Sequence, residues 1–245
     1  MSNSPKMYVS LTTIPSRFKQ INACIDSLLN QLFLPTKIII NIPSKYNFRF
    51  GNSAITDEDI QCFTNQYSHT DLIKINRFQD DYGPGTKLLG LLVNNKPLDN
   101  CFIVLVDDDV IYNNKFLQGF VPHMYENSVA SYWVYEYSGI VIGQGVDGLL
   151  IHGPLLKQFL AYYDVIKKEK YINYQDDIFI SYYMRILGIP INKVNCSETI
   201  YCNYNNCEAL SELKGVFSRN TVYEKCIHLL NSYYNKGSFH FLVRK

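Results

Sequence analysis

The chain has 245 residues, 47% of them hydrophobic and 14% aromatic, and 23 Lys and Arg nearly balance 22 Asp and Glu for a formal charge of +1. This balance excludes an intrinsically disordered chain, which needs low hydrophobicity and high net charge. It also argues against a nucleic-acid partner, because no Lys/Arg run supplies a phosphate-neutralising footprint. The length suits one domain of roughly 200–250 residues with its own apolar core.

No apolar stretch reaches the ~18 residues that a transmembrane segment needs. Met1 to Lys6 lacks the apolar region of a signal peptide. A soluble, cytoplasmic protein is the expectation. The seven cysteines form no Cys-x-x-Cys pair, and Cys202 and Cys207 are spaced too widely for a common zinc knuckle. Reduced, mostly buried thiols fit such a compartment.

Short apolar runs alternate with helical patterns along the first half. Met7 to Ile14 reads as a strand. Ile21, Cys24, Ile25, Leu28, Leu29 and Leu32 recur at helical spacing, and Pro35 stops that helix. Lys37 to Ile42 is a second strand, apolar on both faces as a central parallel strand should be. Thr56 is placed to cap a helix through about Tyr67. Leu72 to Ile75, Thr86 to Val93 and Phe102 to Val106 read as strand, helix and strand. This alternation predicts a mostly parallel sheet with helices on both faces.

The second half is less regular. Val129 to Tyr135, Gly139 to Ile142, Leu149 to His152 and Pro190 to Val194 read as strands. Pro154 to Tyr163, Asp176 to Leu187 and Arg219 to Tyr234 read as helices. No repeat or linker divides the chain, so a single α/β domain over residues 1–245 is expected. The more regular part covers about 7–112 and the less regular part about 113–245.

Four local elements carry possible chemistry. Asp107-Asp108-Asp109 directly follows the fourth strand, where open α/β sheets bind ligands. Three adjacent carboxylates repel one another, and a hard divalent cation with oxygen ligands, Mg2+ or Mn2+, would neutralise them. A solvated acidic turn capping a helix from about Asn114 is the simpler alternative. Asp176-Asp177 opens an amphipathic helix. Such a pair is ordinarily a cap, yet beside a metal cluster a separate carboxylate can take a proton from an attacking hydroxyl.

Asp81-Tyr82-Gly83-Pro84-Gly85-Thr86-Lys87 joins the third strand to an apolar helix. Its glycines allow a tight turn, and the helix start with Lys87 favours an anion. It lacks the Walker A spacing and would also serve as a plain βα turn. Thr12-Thr13-Ile14-Pro15-Ser16-Arg17 ends the first strand. Its hydroxyls and fixed turn suit a base or ribose, or a simple loop.

Taken together these segments resemble small nucleotide-sugar-dependent glycosyltransferases of the GT-A fold, close to the family 2 type. The resemblance is carried by Val9 to Phe18, Ser27 to Gln31, Ile38 to Pro43 with Tyr46, Asp81 to Gly90, Val104 to Tyr112 and Gln175 to Tyr183. It implies a Rossmann-like sheet and a metal-dependent transfer of a sugar from a nucleotide-sugar, UDP by family frequency, to a hydroxyl acceptor on a glycan or other molecule.

The resemblance also implies roles. Asp107 and Asp109 match the outer members of an Asp-x-Asp motif. Asp109 would hold Mn2+ or Mg2+, Asp107 the ribose or the metal's water shell, and Asp108 the donor sugar. Thr12, Thr13, Pro15 and Arg17 match the first nucleotide-binding loop. Asp81 matches a base-contacting residue and Lys87 a phosphate- or sugar-side residue. Asp147 lies where donor sugar or acceptor is contacted. Asp177, or its neighbour Asp176, matches the catalytic base of inverting members. His228 and His240 are the tail's candidates for a further metal ligand. Tyr135, Tyr137 and Tyr201 are stacking candidates for an acceptor. The competing readings are a turnover-deficient module of the same fold that binds glycan or nucleotide, and another α/β phosphate enzyme.

Overall fold

The computed structural model describes residues 5–51, 53–94, 98–196, 199–203 and 218–242. Cys207 and most of the segment between Cys202 and Ser218 lie outside them, as do Met1 to Ser4. No helix among the described residues is long and apolar enough to cross a membrane.

Seven strands form the central sheet: β1 (Lys6–Thr12), β2 (Lys37–Pro43), β3 (Ile73–Phe78), β4 (Cys101–Leu105), β6 (Val129–Ser131), β9 (Leu149–His152) and β10 (Ile191–Lys193). Their order is β10-β6-β9-β4-β1-β2-β3. Strand β1 pairs in parallel with β2 and β4, β2 with β3, and β6 with β10. Strand β9 is the antiparallel member, against β4 and β6. Two small ribbons complete the strands: β5 (Val110–Tyr112) with β11 (Tyr201–Asn203), and β7 (Val134–Tyr137) with β8 (Ile140–Gly143).

The alternation of side chains along each strand divides the core in two. Val9, Leu11, Ile38, Ile40, Phe102 and Val104 face one layer with α1 (Pro15–Phe18), α2 (Asn22–Leu29) and α3 (Asp57–Gln66). Ile39, Ile103 and Leu105 face the other, with α4 (Thr86–Asn94), α5 (Phe159–Ile166), α6 (Asp176–Ile186) and α7 (Arg219–Asn235). The expected mostly parallel sheet with helices on both faces is the observed one.

Local signals explain several boundaries. The Thr56 hydroxyl accepts the Asp59 N–H at 3.1 Å, while the Asp59 carboxylate accepts the Thr56 N–H at 3.3 Å. This reciprocal cap satisfies two orphan donors and starts α3 where the sequence places it. Other boundaries differ from expectation. Val129 to Tyr135 is two strands, because the Ser131 hydroxyl bonds to the Trp133 N–H and C=O and turns the chain. No α-helix starts at Asn114: β5 ends just before it, and the turn that follows is a 3-10 segment from Gln118 to His123 containing Pro122. Pro154 to Tyr163 begins as a 3-10 turn and becomes α-helical only at Phe159.

Candidate active site

Chain order runs β1, β2, β3 to one side of β1 and returns to β4 on the other. The crevice at this reversal, beyond the carboxyl ends of the strands, is where open α/β sheets take ligands. A cleft of about 390 Å³ opens there. Thr12 at the end of β1 enters it with Thr13 and Arg17 just beyond, Asp81 and Lys87 after β3, Asp107 to Asp109 after β4, and Asp176 with Asp177 from the start of α6. Four segments separated by up to 165 positions in sequence thus meet in one cavity.

Two cations organise the carboxylates. Arg17 Nη1 lies 3.1 Å from Asp108 and 2.6 Å from Asp109. Lys87, only 4% exposed, bridges Asp107 and Asp176, the latter at 3.0 Å. Burial alone would depress Lys87, but these carboxylates outweigh it and hold the ammonium charged. A polar network in the sheet supports it. The Ser10 hydroxyl donates to the Lys87 carbonyl at 2.6 Å, and the buried Asn41 amide donates to Ser10 at 2.9 Å. Asn76 in turn donates to Asn41 at 3.1 Å. The backbone that carries Lys87 is therefore pinned to β1, β2 and β3.

The acidic groups still exceed the local positive charge. Burial first, then Asp107 and Asp108, push Asp109 up to about 7. Burial and then Asp176 push Asp177 up to about 8. Asp108 is likewise raised, mainly by burial, and its Oδ2 is buried without a hydrogen bond. Such a cluster favours protons or a cation.

Asp107 is positioned from its backbone, whose N–H donates to the Tyr112 hydroxyl at 3.0 Å. That hydroxyl donates to the Val146 carbonyl at 3.2 Å. The same loop closes over the second acidic pair, where Gly145 N–H donates to Asp177 at 2.8 Å. A Cβ at Gly145 would sit 3.0 Å from Lys87 Nζ and 3.1 Å from Asp177 Oδ1, which is why this position suits glycine.

Asp81 does more than face the cleft. Its two oxygens accept the Phe48 N–H at 2.8 Å and the Gly83 N–H at 2.9 Å. It therefore clasps the loop after β2 to the loop after β3. Phe48 packs against Tyr174 in a tilted contact with ring centroids 4.4 Å apart, so a third loop joins the clasp. Tyr46, Phe48 and Tyr174 line this end of the cavity.

Not every expected residue reaches the cavity. Pro15 opens α1 behind it and does not line it. Asp147 is 8% exposed and sits beside the lining residue Tyr201, with burial and Asp107 raising it to about 6. His228 and His240 are exposed and lie outside the cleft, His240 bonding back to the Gly237 carbonyl at 2.8 Å. Tyr135 and Tyr137 pack on Tyr223 instead of standing open as platforms. Gln144, Arg219 and Tyr223 do line the cleft and were not singled out by sequence.

No protein-family model and no curated protein matches the chain. Solved structures do. The S. aureus protein TarS (residues 1–349) superposes with a TM-score of 0.53 at 15% identity, over 98% of this chain and 75% of that one. The same protein has been solved in complex with UDP. The galactosyltransferase LgtC, in complex with donor and acceptor sugar analogues, superposes with a TM-score of 0.53 at 9% identity, over 93% and 95% of the two chains. The chain has an α/β fold of the GT-A type. Within this GT-A frame the acidic cleft lies at the sheet's reversal point, between the segments that follow β1, β3 and β4.

Proposed function

We propose that the protein is a nucleotide-sugar glycosyltransferase, with a UDP-sugar donor and a hydroxyl acceptor on a glycan or other molecule. The observation that carries this reading is the convergence of both acidic clusters, with Arg17 and Lys87, on one cleft of a GT-A fold.

A divalent cation, Mn2+ or Mg2+, fits the residues present. The donor set is carboxylate oxygen, the chemistry hard cations select, and Asp108 carries a buried oxygen with no hydrogen bond. Among the described residues no three His, Cys, Asp or Glu groups gather into a full metal shell. Asp109 and Asp107 would hold the ion, with diphosphate oxygens and water supplying the rest, as is usual for Mg2+. Bound there, the ion would neutralise charge on the departing diphosphate.

The chain's own residues divide the remaining work. Asp176 is neutralised by Lys87 and serves as its counter-ion. Asp177 keeps the proton affinity of a base matched to near-neutral pH. It takes the acceptor hydroxyl proton as that oxygen bonds to the anomeric carbon. The bond from that carbon to the diphosphate oxygen breaks, and the nucleoside diphosphate leaves with the electron pair. Attack opposite the leaving group inverts the anomeric centre. Charge spreads over the sugar as in glycoside hydrolysis. Arg17 and Lys87 exchange part of their carboxylate contact for the developing phosphate charge.

The test is turnover of a panel of nucleotide-sugars, with and without Mn2+, in wild type and Asp177→Asn. Cation-dependent release of one nucleoside diphosphate, lost in the variant, is expected. Binding of nucleotide without release across a broad acceptor panel would instead favour a binding module.

A further inference from the structure

We infer that Arg219 receives an anionic group of the acceptor, a phosphate or a carboxylate, beside Asp177. This rests on the glycosyltransferase reading, and deepens it by naming an acceptor class.

Four cations line the cleft: Arg17, Arg49, Lys87 and Arg219. The Arg49 guanidinium carbon lies 5.2 Å from the Phe50 ring centroid. Arg17 is engaged by Asp108 and Asp109, and Lys87 by Asp107 and Asp176. Arg219 is different. It lines the same cavity, yet makes no ion pair with a carboxylate among the described residues. Its contacts are neutral. The guanidinium carbon lies 5.4 Å from the Tyr223 ring centroid, and Nε and Nη2 donate to the Tyr223 hydroxyl at 3.3 and 3.1 Å. Tyr223 is itself buried and receives the Tyr135 hydroxyl at 3.0 Å.

Gln144 completes the bracket. With its amide oriented to satisfy both neighbours, its oxygen accepts Arg219 Nη2 at 2.8 Å, and its nitrogen donates to Asp147 at 3.0 Å. These contacts fix the guanidinium without neutralising it. Nη1 has no hydrogen-bond partner among the described residues. A guanidinium held by neutral partners, with a donor edge that no described residue occupies, is suited to phosphate or carboxylate. Little side-chain freedom remains to be lost on binding.

Position separates acceptor from donor. The electrostatic neighbours of Arg17 are Asp107, Asp108 and Asp109, the donor-side cluster. Those of Arg219 are Tyr223, Tyr135 and Asp177. Gln144 also adjoins Gly145, whose N–H holds Asp177. The acceptor hydroxyl must approach Asp177 to lose its proton, so a charge on the acceptor comes within reach of Arg219.

The test uses probes matched except for charge: methyl glucoside against glucose 6-phosphate and glucuronate, and glycerol against glycerol phosphate. Each is titrated by NMR into protein saturated with UDP and Mn2+. In at least one set the anionic member should bind at least tenfold tighter than the neutral one. Arg219→Gln should abolish this preference with UDP affinity within about twofold of wild type, while Arg219→Lys retains part of it. Thermal midpoints confirm that both variants fold. The inference is overturned if no set discriminates by charge, or if discrimination survives Arg219→Gln. It is also overturned if that variant weakens UDP binding tenfold and leaves acceptor preference intact, since the anion would then be the donor diphosphate. Failure of wild type to bind UDP at all would instead refute the reading beneath it.

Discussion

The Lys87 ammonium lies 3.0 Å from the Asp176 carboxylate, tying α4 to the first turn of α6 across the floor of the cleft. Through its second contact, with Asp107, it also joins the segment after β4. One buried cation therefore sets the spacing between the proposed donor-binding carboxylates and the proposed base.

Lys87→Met should be severely destabilising. It leaves Asp176, 10% exposed, and Asp107, 33% exposed at the cleft wall, without the cation that pairs them. Breaking a buried pair from one side costs about 3–5 kcal/mol, and the partial exposure of Asp107 argues for the lower end. Urea denaturation checks this. A double variant, Lys87→Met with Asp176→Leu, should recover part of the loss, because both buried charges of that pair are then gone.

Asp177 gives a pH signature with a defined sign. Burial and Asp176 raise it to about 8 in the folded protein. An unfolded Asp titrates near ~3.9. Between these values the folded state holds a proton that the unfolded state has lost. Stability contributed by this group therefore falls as pH rises from ~4 toward 8 and levels off above. Asp177→Asn removes that slope, so melting temperatures of variant and wild type should diverge in the variant's favour as pH increases. A difference constant across pH would show that Asp177 is not perturbed. Transfer rate in wild type should rise over the same range as the base loses its proton.

Gly83 holds the clasp around Asp81. Its φ is +56°, and a Cβ there would lie 2.6 Å from the Asn173 carbonyl and 2.9 Å from the Phe48 ring. Gly83→Ala should cost at least about 1 kcal/mol from backbone strain alone. It should also displace Phe48 and weaken nucleotide binding severalfold, measured by calorimetry. Asp81→Asn keeps one acceptor oxygen and should be the milder change.

Much of this architecture was legible in the sequence because it rests on local rules. Ile38, Ile39 and Ile40 announce a strand buried on both faces, and Thr56 with Asp59 announces the start of α3. The triple Asp after Phe102 to Val106 marks the ligand edge because strand polarity determines where that edge lies. What stayed hidden depends on long-range pairing. Arg17 gave no sign that it would neutralise Asp109, 92 positions away. Lys87 reads as a helix-start cation for an anion, whereas the fold buries it between two carboxylates. Tyr201 was only one of twenty tyrosines, and β5 and β11 are too short to show that they pair. Gln144 and Arg219 carry no motif, yet a lone Arg opening a helix that lacks acids in its first turn was a usable signal.

Asp109 is the residue on which the donor-side reading turns. Calorimetric titration of UDP into wild type and Asp109→Ala, each with and without Mn2+, measures this directly. Mn2+ should strengthen UDP binding to wild type at least tenfold, and the variant should lose this gain while remaining folded. UDP affinity that is independent of Mn2+, or a Mn2+ gain that survives Asp109→Ala, would contradict the donor-side reading.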